Sequence, residues 1–137
     1  PPGSTWKPVV ALAAMQERLI SPFQDSEQIW IGLDEPGMRR KAFRFVSPDI
    51  GSEEFMAGIT IFEPGAASSY HIHPVSEEIN LVLAGSGLVV SEGEEAEFGP
   101  GHAMWVPKGV YHQHRNTGTE PLRLLWVYTP QAELPTT

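Results

Sequence analysis

The chain has 137 residues, 41% of them apolar and 19% charged, with no cysteine. That balance suits a single domain with its own core and excludes a disordered, bilayer-embedded or disulfide-stapled chain. The formal charge of −8, from 9 Lys+Arg against 17 Asp+Glu, repels phosphate backbones, so nucleic acid is not an expected partner.

The longest apolar run, Val9 to Met15, is too short to cross a bilayer, and membrane insertion is not expected. The lack of cysteine fits a reducing compartment, and the cytoplasm is the expected location. Val9, Leu12, Met15 and Leu19 fall near helical spacing. The segment from Val9 to Ile20 therefore reads as a short helix, or its first part as an edge strand, ending at Ser21-Pro22 in either case.

Beyond it, 13 glycines and 13 prolines in the whole chain divide the sequence into short segments, which favours β structure. Strand-like runs follow at Gln28–Leu33, Arg40–Val46, Glu54–Phe62, Ser69–His73, Glu78–Leu83, Gly87–Val90, Ala103–Val106, Tyr111–Arg115 and Leu122–Thr129. Turn residues separate them, as at Glu63-Pro-Gly65, Ala84-Gly-Ser-Gly87 and Pro107-Lys-Gly109. The fold class expected is all-β, a sandwich, barrel or jelly roll. The acidic run Glu92-Gly-Glu-Glu-Ala-Glu97 reads as a solvated hairpin tip.

Two segments break the alternation of a strand with one wet face: Ile79-Asn-Leu-Val-Leu83 and Leu122-Arg-Leu-Leu-Trp-Val-Tyr128. Both are expected to be covered on two sides, partly by a second copy of the chain in a homodimer.

All five histidines lie between Gly65 and Asn116. On a strand, residues two apart share a face, so His71 and His73 point together. Glu78 follows the turn that begins at Pro74 and can face them from a neighbouring strand. His112 arrives just after the turn Pro107-Lys-Gly109. Three imidazoles and a carboxylate form a sulfur-free donor set for one divalent transition metal such as Fe, Mn, Ni, Co or Zn. Such an ion would keep positions open for a small-molecule substrate.

These residues resemble the two motifs of the cupin superfamily. The first, G-x5-H-x-H-x3,4-E-x6-G, matches at Gly65, His71, His73, Glu78 and Gly85. The second, G-x5-P-x-G-x2-H-x3-N, matches at Gly101, Pro107, Gly109, His112 and Asn116, after 15 intervening residues (86–100). The resemblance implies a cupin-type β-barrel jelly roll over about residues 27–129, between an N-terminal extension (1–26) and a C-terminal tail (130–137). It also implies a metal held in the barrel mouth, and frequent dimerisation. The family's spacing admits Glu77 as well as Glu78, but six residues to Gly85 and side-chain parity both favour Glu78.

Asn80, two residues after Glu78, is expected to point into the barrel beside the metal, and His114 shares a face with His112. These two are the candidates for chemistry, His114 as an acid or base and Asn80 as a substrate ligand. His102 is expected at the rim. Tyr70, Trp105, Tyr111, Trp126 and Tyr128 are candidate pocket walls, and Arg44 and Arg123 candidate partners of a substrate carboxylate. The first functional expectation is a metal-dependent enzyme with dioxygenase-type chemistry. The alternatives are a non-redox isomerase, cyclase, decarboxylase or lyase, or a module that binds a small ligand without catalysis.

Overall fold

The computed structural model describes residues 19–135. Nine strands run from Glu27 to Thr129: β1 (Glu27–Ile31), β2 (Arg40–Val46), β3 (Met56–Phe62), β4 (Glu77–Ala84), β5 (Gly87–Ser91), β6 (Glu94–Phe98), β7 (Ala103–Val106), β8 (Gln113–Asn116) and β9 (Leu122–Thr129). A single 3-10 turn, Pro48–Ile50, is the one helical element among the described residues, and none of their helices is long and apolar enough to cross a membrane.

The strands form two antiparallel sheets, one ordered β1-β2-β3-β9-β4-β7 and the other β6-β5-β8. Isolated bridges Ala67↔Arg115 and His71↔His112 lay the segment before β4 along β8, widening the smaller sheet. The result is a jelly-roll barrel, the all-β architecture expected. Its logic is clearest in β9, where Leu122, Leu124, Trp126 and Tyr128 are buried and the residues between them are not. Register carries the same alternation across the sheet, with Glu78 opposite Tyr128, Asn80 opposite Trp126 and Val82 opposite Leu124.

The interior is apolar at one end, where Phe62, Ala66, Val82, Phe98, Leu122 and Leu124 pack together. A second apolar cluster joins Ile31, Ala42, Met56, Trp126 and Tyr128, and Leu134 from the tail packs against it. The tail is tied down after β9 by Ser76 Oγ donating to Pro130 O (2.6 Å) and Gln131 Nε2 donating to Ser52 O (2.6 Å). Glycine is required at Gly85: its φ is +85°, and an added Cβ would lie 2.7 Å from Pro121 O.

Several local expectations change. Ser69–His73 is not a strand: its ladder pairing reduces to the single bridge at His71, because Pro74 and the turn after it interrupt any ladder. His112 likewise precedes β8 and lies in that bridge. The acidic run is mostly strand β6, with the tip confined to Glu92 and Gly93, both at positive φ. Its glutamates are exposed on an edge strand, where charge is tolerated on both faces. The expected element from Val9 to Ile20 falls outside the described residues except for Leu19 and Ile20, which have no regular structure. Within the single chain the outer face of β4 is open, with Ile79 50% and Leu83 44% exposed.

Candidate metal centre

Strand β4 delivers Glu78, which is 4% exposed, and Asn80, which is 1% exposed, to the barrel interior. The irregular segment before it brings His71 and His73, and the bridge to His71 fixes His112 opposite through reciprocal backbone bonds of 2.9 and 2.8 Å. One ligand atom from each of His71, His73 and His112 lies within 4.8 Å of the others. The Oε1 atom of Glu78 lies 3.0 Å from His73 Nε2 and 3.4 Å from His112 Nε2. Glu77 is exposed and accepts from Trp105 Nε1 at 2.9 Å, on the other face of the strand.

These contacts do not close into hydrogen bonds. His73 Nε2, His112 Nε2 and Glu78 Oε1 are buried with no hydrogen-bond partner. Buried polar atoms left in this state are costly, about 1–3 kcal/mol each, and three that converge on one place fit the ligands of a divalent cation. The tautomers agree with that fit. His71 Nδ1 lies 2.8 Å from Ser69 O and His112 Nδ1 lies 3.0 Å from Val110 O. A proton on Nδ1 donated to a carbonyl leaves the Nε2 lone pair free to bind an ion. The sequence reading missed both carbonyls, because backbone acceptors carry no residue signature.

Burial lowers His71 to a pKa of about 4, although its bond to Ser69 works the other way. Burial would also lower His112, but its contact with Glu78 raises it above the ordinary imidazole value. Burial would raise Glu78, yet its contacts with His112 and His73 hold it well below the usual carboxylate range. The imidazole of His71 is thus neutral and the Glu78 carboxylate ionised near neutral pH, the states in which such groups ligate metals.

A cavity of about 40 Å³ opens beside these residues, and its walls include His71, Glu78, Asn80, His114, Trp126 and Tyr128. His114 is 4% exposed and its Nε2 has no partner; Asn80 Nδ2 has none either. Both side chains therefore stand where their parity placed them. Burial lowers His114 to a pKa of about 4 and pushes the Tyr128 phenol well up. Among the expected wall residues, Trp126 and Tyr128 line the cavity. Tyr70 and Tyr111 instead stack on each other outside, 5.5 Å between centroids, and Trp105 is 65% exposed. His102 is exposed, and its Nδ1 accepts from Gly99 N at 2.8 Å in a turn. Neither arginine singled out in the sequence reaches the cavity: Arg44 pairs with Glu27, and the exposed Arg123 lies over Phe23. Arg40 does reach it, although Arg44 shares its parity with buried Ala42 on β2, so strand parity alone did not separate the two.

Motif residue Asn116 has a bracing role. Its Nδ2 donates to Phe62 O and Glu120 O, both at 2.9 Å, and its Oδ1 accepts from Gly118 N.

The family model described as "Cupin domain" matches residues 58–128, more than half of the chain. The protein is a cupin. Among curated relatives, this cupin is 34% identical over 85 residues to "Protein SchB" of Streptomyces halstedii, covering 62% of each chain. It is 31% identical over 86 residues to "Polyketide synthase CurC" of Streptomyces cyaneus, covering 63% of this chain and 56% of that one. The matched stretch therefore spans about three-fifths of each relative's length. Among solved structures, the polyketide cyclase RemF from Streptomyces resistomycificus has a TM-score of 0.68 at 24% identity, over 84% of this chain and 80% of that chain, a likeness of fold.

Proposed function

We propose that this cupin is a divalent-metal enzyme acting on a small oxygen-bearing molecule, with His71, His73, His112 and Glu78 as metal ligands. The observation that carries the reading is the convergence of three buried, unpartnered ligand atoms, His73 Nε2, His112 Nε2 and Glu78 Oε1. A bound ion would supply Lewis-acid polarisation of a substrate oxygen. Fe, Mn, Ni, Co and Zn all suit this donor set.

The chemistry we favour is non-redox proton transfer, of the kind an isomerase or cyclase performs. His114 Nε2 faces the same cavity as the ligands with nothing bound to it, so it can take a proton from substrate and return it. Asn80 Nδ2 can donate to a substrate oxygen. Similarity to a polyketide synthase protein supports an oxygen-rich, polyketide-like substrate, whose reacting group would enter while the remainder stays outside a cavity of about 40 Å³. The donor set also suits Fe(II), which supports dioxygenase chemistry as the second reading.

Elemental analysis of the purified protein, followed by assays of each metal form with poly-β-keto substrates and of the Fe(II) form for oxygen uptake, separates the readings. About one Zn, Mn, Ni or Co per chain with cyclised or isomerised product supports the first. Substrate-dependent oxygen uptake by the Fe(II) form replaces it with the second. Fewer than about 0.1 metal ions per chain after reconstitution would remove both.

We also propose a homodimer joined through the outer face of the larger sheet. Support comes from Ile79, Leu83 and Trp105, which leave an apolar band there 44–65% exposed. Light scattering at micromolar concentration should give twice the chain mass; a monomer mass would refute it.

A further inference from the structure

Strands β1, β2 and β3 have two faces, and only the inner one borders the metal cavity, through residues such as Ile31, Ala42 and Thr60. The residues between them point the other way. On that outer face Trp30 of β1 pairs with Lys41 of β2, and Lys41 pairs with Ile61 of β3, so the three form one row across the sheet. Phe43, two residues beyond Lys41, lies on the same face. Together with the exposed Arg39 these side chains line a groove of about 580 Å³. That is the size of a small-molecule site, and Trp30 is 44% exposed in it.

The floor of the groove is aromatic and its edge is cationic. Arg39 Cζ lies 4.5 Å from the Trp30 ring centroid, and Lys41 Nζ lies 5.2 Å from the centroids of both Trp30 and Phe43. Neither cation makes an ion pair among the described residues. Glu63 is the one acid among the described lining residues. Arg40 also borders the groove, but it is buried and turned inward, and the charge matching does not use it. Two outward cations against one carboxylate leave a single positive charge, in a chain whose net charge is −8. Both cations are held against rings, where an opposite charge attracts them more strongly than it would in open water. A neutral hydrocarbon would cover the floor and leave the cations unanswered. A small inorganic anion would answer the cations and leave the rings in water. An aromatic monoanion satisfies both.

We propose that the outer face of β1, β2 and β3 is a second ligand site, which binds flat aromatic molecules carrying one anionic group such as a carboxylate or sulfonate. Trp30 and Phe43 take the ring, and Arg39 and Lys41 take the anion. None of the metal-ligand residues lines this groove, so the site works with or without the ion.

The test is fluorescence titration of the full chain with anilinonaphthalene sulfonate, and with phenylnaphthylamine, the same ring system without the sulfonate. The sulfonate should bind once per chain and at least about 10-fold more tightly than the neutral amine. The double variant Arg39→Gln/Lys41→Gln should lose that preference, with affinity for the neutral amine within about 2-fold of the parent. Trp30→Ala should weaken both probes by about 10-fold. Chelator treatment and His112→Ala should change neither affinity. Equal binding of the two probes by the parent, or an unchanged preference in the double variant, would overturn the proposal. So would sulfonate affinity that follows metal content, which would place the probe in the metal cavity. A parent dimer that Trp30→Ala converts to monomer in light scattering would also overturn it, by showing the groove to be covered by a second copy. If the double variant does not fold, Lys41→Gln and the parent's ratio of sulfonate to amine affinity decide.

Discussion

The two ends of the barrel interior are built from the same strands and do opposite things. Along β4 the inward positions run Glu78, Asn80, Val82, and along β9, read the other way, Tyr128, Trp126, Leu124, Leu122. At the Val82 end the inward residues of β4 and β9, Val82, Leu124 and Leu122, are apolar and packed with Phe62 and Phe98. Four residues away on β4, ligand atoms are buried without partners. One end gains stability from burial, and the other gives some up to keep donors and acceptors ready. That contrast locates the function more sharply than the motif does, because unsatisfied buried atoms persist only where something repays them.

The largest expected break of this contrast is Leu122→Ala. Leu122 has no exposure, so its truncation should cost about 2–5 kcal/mol in a denaturant melt. Metal bound per folded chain should stay the same. A loss of metal in the folded fraction would show that the two ends are not independent.

Next in size is His73→Ala at the polar end. Affinity for Co or Zn should fall by about 100-fold or more, while the metal-free protein melts within about 1 kcal/mol of its parent. A variant that still binds with parental affinity would take His73 out of the ligand set. His114→Gln should leave metal content intact and lower turnover by about 10²-fold; unchanged turnover would make His114 a wall residue.

The smallest effect concerns pH. In metal-free protein, burial holds His71 and His114 near 4, below the 6.5 of an exposed imidazole. The unfolded chain takes up those two protons first, so stability should fall as pH drops from about 6.5 towards about 4. Glu78, held low by His112 and His73, adds to that loss at the acidic end. His112 is raised and acts in the opposite direction, one imidazole against two. Chelator-treated protein should therefore melt at a lower temperature at pH 4.5 than at pH 7. An equal or higher midpoint at pH 4.5 would mean that His71 and His114 are not buried as neutral groups.

Much of the site was legible in the chain itself. The spacing of His71, His73, Glu78 and His112 stands in the two motifs, and the parity that separates Glu78 from Glu77 and the inward positions of Asn80 and His114 follow from a period of two. The all-β class followed from short segments between glycines and prolines. Those are local rules, and local rules are written in sequence. What needed the tertiary structure was everything that depends on which strands become neighbours. The carbonyls of Ser69 and Val110 that set the imidazole tautomers, the inward turn of Arg40 rather than Arg44 or Arg123, and the open outer face of β4 are of this kind. Sequence specifies which side of a strand a residue occupies; only the closed barrel decides what it meets there, because long-range register and burial arise from all strands at once.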